Sequence, residues 1–167
     1  MHNAAMEFIV SSFHNWKSDR TDLNVLEIGS LDINGSMRPI FYPFAEKYIG
    51  IDAQDGPGVD IVTDATEYLS PGYFDVIICA EVFEHTPDWK KIINNSYNNL
   101  VDGGIFIATM AGEGRYPHSA IDENPIREWE HYANIGWWEL NQTLTNIGFK
   151  GINVNIEGQD TRCSAIK

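Results

Sequence analysis

The sequence predicts an α/β fold: an open, twisted, mostly parallel sheet with helices on both faces and an antiparallel hairpin at its C-terminal edge. Three observations lead there. Four short apolar runs, "NVLEIG", "KYIGID", "VDIVTD" and "FDVIICAE", each end at or just past an acidic residue, and near-continuous apolar strands belong to a parallel sheet covered on both sides. Segments of helical periodicity alternate with the apolar runs. The last two runs, "FKGINVNIEG" and "TRCSAIK", read as a closing β-hairpin.

Taken in order, Met6, Ile9, Phe13 and Trp16 recur at helical spacing with Ala5 and Phe8 beside them. Residues 3–17 therefore read as an amphipathic helix, capped by Asn3, that packs on the core. The first strand, Asn24 to Gly29, breaks into "SLDINGS" before a short helix-like segment. Only Ala53 to Val59 separate the second and third strands, fewer than the dozen or more residues a parallel crossover usually needs. The helix of that crossover is expected to be lost or reduced to a turn, and the third strand to be very short. After the fourth strand, "DWKKIINNSYNNL" places Trp89, Ile92, Ile93, Tyr97 and Leu100 on one helical face, with Asp88 to cap its start and Gly103-Gly104 to stop it. "GIFIATM" is a fifth strand. "GWWELNQTLTNIG" is a further amphipathic helix that ends at Gly148 and places Trp137 in the core.

A chain of 167 residues fits one domain, 1–167, that buries a core without disulfides or structural metal. Its parts are an N-terminal helix at 1–22, a core at 23–110, a covering segment at 111–134, and a closing helix and hairpin at 135–167. The 24 acidic residues against 11 basic give a net charge of -13, which repels phosphate backbones and anionic lipid surfaces. Nucleic acid and membrane are therefore not expected partners. Cys79 and Cys163 form no framework and read as reduced thiols of a cytoplasmic protein. The segment "MHNAAMEFIVSSFHNW" lacks a basic region followed by an apolar one, and no apolar run approaches the ~20 residues of a membrane helix.

In an open α/β sheet, ligands bind beyond the carboxyl ends of the strands, and the first strand-to-helix turn is the usual place. Here Gly29 and Gly35 are followed by Ser36 with no lysine, which excludes a triphosphate loop. Leu31 occupies the second position of a G-x-G-x-x-G pattern, and Glu27 and Asp32 flank the turn, so a pyrophosphate is a poor guest. A cation suits it better. S-adenosylmethionine carries a sulfonium, an ammonium, a ribose diol and an adenine but no phosphate. Glu27 then lies near its amino-acid end. Asp52, ending the second strand, can accept hydrogen bonds from both ribose hydroxyls, and Asp64, ending the third, can accept from the adenine amine.

The stretches "VLEIGSLDINGS", "YIGIDAQDGPGVDIVTDA", "FDVIICAEVFEH" and "LVDGGIFIATM" resemble the successive motifs of class I S-adenosylmethionine-dependent methyltransferases, especially the small methyltransferase type 11 kind. The resemblance spans Asn24 to Met110 and implies a Rossmann-like sheet. It implies that Gly29 and Ser30 cradle the methionyl part and that Asp52, with Ala53 beside it, holds the ribose. It further implies that Asp64 and the Ala65 amide read adenine, and that Ala80 and Glu81 line the methyl end. The family's E-x-G-x-G-x-G is stretched here to E-I-G-S-L-D-I-N-G, so nothing past Ser30 is carried over. Asp102 stands where the family often has proline, which touches only a turn.

The expected reaction is methyl transfer to a small-molecule acceptor through an oxygen or nitrogen nucleophile, releasing S-adenosylhomocysteine. Another S-adenosylmethionine-using transfer, or a non-catalytic binding module, are the alternatives. His85, just past the fourth strand in "EVFEHTPDW", is the candidate general base because its unperturbed pKa of ~6.5 suits neutral pH. No metal is expected, since the five histidines lie far apart in sequence with no H-x-x-x-H or cysteine pair. Residues 111–134 follow the fifth strand as an acceptor lid in which Tyr116, His118, Trp129 and His131 shape the substrate pocket, beside Tyr132.

Overall fold

The computed structural model describes residues 3–33, 35–122 and 124–167. The first helix, α1 (Asn3–Lys17), is followed by β1 (Leu23–Ile28), the short α2 (Arg38–Phe41), β2 (Ala45–Asp52), β3 (Ile61–Val62) and β4 (Phe74–Ala80). Then come α3 (Trp89–Asn99), β5 (Leu100–Ala111), α4 (Trp137–Ile147), β6 (Lys150–Glu157) and β7 (Asp160–Ile166). The Asn3 side chain, expected to cap α1, lies outside the described residues.

Among the described residues the strands join one seven-stranded sheet in the order β3-β2-β1-β4-β5-β7-β6. The first five positions pair in parallel, and β7 inserts antiparallel between β5 and β6. The alternation of side chains sorts the core into two layers. Leu23, Val25, Tyr48, Val76, Ile78, Ile105 and Ile107 meet Ile9 and Phe13 of α1 and Phe41 of α2 on one face. Leu26, Ile28, Ile77, Phe106 and Ala108 meet Ile92 and Ile93 of α3 and Leu140 and Leu144 of α4 on the other. Burying an aliphatic side chain stabilises by roughly 1.5–3 kcal/mol. The two layers together therefore hold the strand ends, and whatever they carry, in fixed register.

α2 lasts one turn because Pro43 two residues beyond it supplies no N–H, and the chain tightens into a 3₁₀ turn at Tyr42–Phe44 before β2. No helix forms between β2 and β3, as the short crossover implies, and the two residues of β3 are exposed at the sheet edge. Three local expectations are corrected. α3 ends at Asn99, before Gly103-Gly104, because Leu100 turns extended and both glycines lie inside β5, where the pairing ladder with β4 starts early. Asp88 makes no side-chain bond to the start of α3; its backbone carbonyl accepts from Lys91 and Ile92 instead. Trp137 is 44% exposed, and the aliphatic Ile135 fills the adjoining core position.

Candidate functional site

The strand order reverses between β1 and β4, so the chains leaving their carboxyl ends diverge and open a crevice. A cavity of about 800 Å³ lies there. Its wall gathers Glu27, Gly29, Ser30, Asp52, Ala53, Asp64, Ala65, Ala80 and Glu81, with His85, Arg115 and His118 at the other end.

Gly29 turns the chain out of β1 with φ +76°, and a Cβ there would overlap Val82 Cγ2. The N–H groups of Gly29 and Ser30 both donate to the Ile51 carbonyl, at 2.9 and 3.1 Å. Asp52 fixes the next part of the turn, accepting from the Leu31 N–H at 3.1 Å and from the Gln54 N–H at 2.9 Å. A carboxylate has about four acceptor directions, so Asp52 retains capacity toward the cavity. Asp64 accepts from the Thr66 N–H at 2.7 Å, which holds its carboxyl below the usual range and keeps it ionised.

Glu27 differs from these. It is buried, and burial pushes its pKa up to about 7, although the Tyr48 hydroxyl donates to Oε2 at 2.6 Å and Arg38 stands nearby. Arg38 in turn lies over the Tyr48 ring and is held by Asp60 and the Gly58 carbonyl, so the floor of the glycine turn is a connected polar network.

At the far end Glu81 adopts φ +56°, a conformation that costs a residue with a Cβ on the order of 1–3 kcal/mol. Its carboxylate pairs with Arg115 at 2.9 Å, and Arg115 also reaches Asp160 at 2.6 Å. Glu84 is fully buried: Oε1 accepts from the Ala111 N–H at 3.0 Å, while burial, then Glu81, push its pKa up to about 8. His85 packs edge-on against His118 and Tyr132, and burial followed by the neighbouring His118 lowers its pKa to about 4.

The other acceptor candidates are spread apart. Trp129 and His131 line a shallower depression that shares Gln54, His85 and Ala120 with the main cavity. Tyr116 lines neither and is 84% exposed. Sequence reasoning missed Arg115 and Glu84, and it named Tyr132 beside the pocket without giving it a role. Only Glu84 left a trace, as an acid between Phe83 and His85 three residues past Glu81.

A mostly parallel sheet with two antiparallel strands at one edge, and a ligand crevice at the strand reversal, define a Rossmann-like fold. Residues 5–153 match the family described as a methyltransferase domain, and the chain belongs to that family. It is a class I S-adenosylmethionine-dependent methyltransferase. Among similar solved structures is an S-adenosylmethionine-dependent methyltransferase from Archaeoglobus fulgidus, 15% identical over 96% of this chain and 94% of that one, with a TM-score of 0.69. Another is the 1,6-didemethyltoxoflavin-N1-methyltransferase of Burkholderia thailandensis with 1,6-didemethyltoxoflavin and S-adenosylhomocysteine bound, 15% identical, covering 98% and 78%, TM-score 0.75. A third is phosphoethanolamine N-methyltransferase 2 of Haemonchus contortus with phosphomonomethylethanolamine and S-adenosylhomocysteine, 16% identical, covering 99% of this chain and 53% of that one, TM-score 0.67. No curated protein matches the sequence. No helix among the described residues is long and apolar enough to cross a membrane.

Proposed function

We propose that this chain moves the methyl group of S-adenosylmethionine to an oxygen or nitrogen of a small molecule, releasing S-adenosylhomocysteine. The observation that carries the reading is the continuous cavity whose wall runs from the strand-end carboxylates to His85 and His118. Its size falls in the upper part of the roughly 300–1,000 Å³ range of ligand pockets, which leaves room for a second small molecule beside the cofactor. Glu27 takes the ammonium, Gly29 and Ser30 the methionyl chain, Asp52 and Ala53 the ribose, Asp64 and Ala65 the adenine, and Ala80 with Glu81 the methyl end. His118, Trp129, His131 and Tyr116 belong to the acceptor side. The Burkholderia and Haemonchus enzymes were crystallised with small molecules, which supports an acceptor of that size.

The acceptor's lone pair forms a bond to the methyl carbon while the carbon–sulfur bond breaks and leaves its electron pair on sulfur, now a neutral thioether. Alignment of the two reactants supplies about 7–11 kcal/mol of the barrier. The acceptor's proton passes to a base or to water. His85 faces this end as a neutral imidazole, and with a pKa of about 4 it is a weak base that suits an acceptor already easily deprotonated.

In this reading residues 1–167 act as one domain, with 111–134 as the acceptor lid. The buried thiols of Cys79 and Cys163 support a cytoplasmic setting. The charge of -13 supports indifference to nucleic acids and anionic membranes. The test is incubation with methyl-labelled S-adenosylmethionine and a panel of small alcohols, phenols and amines. Labelled product with one S-adenosylhomocysteine per methyl is expected, and labelling confined to protein or nucleic acid added to the panel would overturn a small-molecule acceptor.

A further inference from the structure

At the acceptor end of the cavity, His85 and His118 meet a third side chain, Glu84, that base catalysis by His85 does not account for. Glu84, His85 and His118 each bring one ligand-type atom into a cluster whose atoms all lie within 4.8 Å of one another. Glu84 is fully buried, and its Oε2 has no hydrogen-bond partner. The Nδ1 of His85 and the hydroxyl of Tyr132 are likewise buried and unpartnered, and the rings of His85, His118 and Tyr132 pack together with centroids 5.1–5.6 Å apart. Buried polar atoms are almost always satisfied, so several orphans on adjoining side chains call for a partner.

We propose that Glu84, His85 and His118 form a divalent transition-metal site at the acceptor end of the cavity, with an open coordination position facing that cavity. Two imidazoles and one carboxylate are the ligand set of catalytic zinc and related first-row ions. The outer contacts are those such a site needs. Glu84 Oε1 is tethered by the Ala111 N–H at 3.0 Å, which leaves Oε2 as the carboxylate's unpartnered oxygen. His118 Nδ1 lies 3.2 Å from the Tyr116 carbonyl and donates to it, leaving Nε2 as the free lone pair. Ligand atoms around a tetrahedral zinc stand roughly 3.3 Å apart for bonds of about 2.0–2.1 Å, so the cluster must contract by up to about 1.5 Å. Glu84 and His85 sit in a 3₁₀ turn after β4, whereas His118 comes from the irregular 111–134 segment; contraction therefore draws that segment onto the sheet end. Arg115 opposes a cation here, but Glu81 and Asp160 already engage its guanidinium.

The proposal deepens the methyl-transfer reading by giving the acceptor a Lewis acid, yet metal binding is measured apart from turnover. An acceptor hydroxyl bound to the ion loses its proton to water more readily and presents an alkoxide or phenoxide to the methyl group. The experiment treats the full chain with chelator and titrates it with cobalt(II), reading visible ligand-field absorption, and with zinc(II), reading stoichiometry by equilibrium dialysis. S-adenosylhomocysteine affinity is measured in parallel. One ion per chain is expected, with affinity lost at least tenfold in Glu84→Gln and in His118→Ala but retained in His14→Ala, a histidine of α1 far from the cluster in the fold. Glu84→Gln retains an acceptor for the Ala111 N–H, and should it fail to fold, His118→Ala in the irregular segment carries the test. Absence of stoichiometric binding, or binding that survives both ligand variants, overturns the site. Intact S-adenosylhomocysteine affinity in that event leaves the cofactor assignment standing.

Discussion

Acidification from pH 7 to pH 6 should weaken binding of S-adenosylhomocysteine about fivefold, through Glu27. Burial pushes this carboxyl from an ordinary 4.5 to about 7, which corresponds to about 3 kcal/mol against the ionised form. Before the ligand binds, about half of the molecules at pH 7 hold an ionised Glu27, and at pH 6 about one in ten. An ammonium group engages the carboxylate rather than the acid, so binding at pH 6 must first remove a proton. The dissociation constant rises by the ratio of the two fractions. Glu84, with a pKa of about 8, stays mainly protonated over this interval, and His85, at about 4, stays neutral.

Calorimetry at the two pH values measures the effect directly. 5′-Methylthioadenosine, which lacks the amino-acid end, should bind equally at both, and Glu27→Gln should abolish the pH dependence for S-adenosylhomocysteine. Stability follows with the opposite preference. Because the folded pKa lies above the unfolded one, the proton on Glu27 favours the fold below pH 4.5, and that contribution is lost as pH rises through 7. The Tm advantage of Glu27→Gln over the parent should therefore grow by about 5–10 °C from pH 5 to pH 8. Equal S-adenosylhomocysteine affinity at pH 6 and 7, or an equal loss for 5′-methylthioadenosine, would refute placing Glu27 at the ammonium.

Three further outcomes are expected. Asp52→Ala should weaken S-adenosylhomocysteine by about 10–100-fold, since it removes a charged acceptor and also frees the Leu31 and Gln54 N–H groups; unchanged affinity by calorimetry would take Asp52 out of the site. Gly29→Val should lower stability by about 1–3 kcal/mol or more, because a side chain must displace Val82 at a backbone angle of φ +76°, and a melting curve matching the parent would contradict this packing. Arg127 bonds to Ser119, Asp122 and Glu130 within the 111–134 segment, so Arg127→Ala should speed chymotryptic nicking after the exposed Tyr116 and Trp129 while S-adenosylhomocysteine affinity stays within about threefold; equal nicking rates would show that these bonds do not hold the segment.

The part of the cavity wall proposed to hold the cofactor was legible because strand ends are written locally. An apolar run, then an acid or glycine, places Glu27, Gly29, Asp52 and Asp64 on one edge once the sheet is parallel, and no side chain from far along the chain is needed to aim them. The acceptor side is made of pairings that no local pattern announces. Arg115 meets Glu81 from 34 residues away and Asp160 from 45, and His118 meets His85 only when the irregular segment folds back. Ends of elements failed for a related reason. Gly103-Gly104 looks like a helix stop, but the ladder between β4 and β5 recruits it into a strand, so tertiary pairing overrides local propensity.

Two departures from the family pattern, the stretched first turn and the shortened second crossover, prove to be one structural feature. The turn brings Ser30, Leu31 and Asp32 against the crossover. The shorter crossover, "AQDGPGVD", meets them there, with the Pro57 carbonyl accepting from the Asp32 N–H at 2.8 Å. Gly58 has φ +89°, and a Cβ on it would stand 2.5 Å from the Ser30 carbonyl oxygen; a Cβ on Gly56 would overlap Leu31 Cδ1. Gly56 and Gly58 thus let the crossover backbone lie against the turn, where a side chain on either would meet Leu31 or the Ser30 carbonyl. Arg38, at the start of α2, closes the arrangement by binding both the Gly58 carbonyl and Asp60, and it stacks on the Tyr48 ring whose hydroxyl holds Glu27. The crossover is thereby linked, through Arg38 and Tyr48, to the Glu27 carboxyl in the cavity wall.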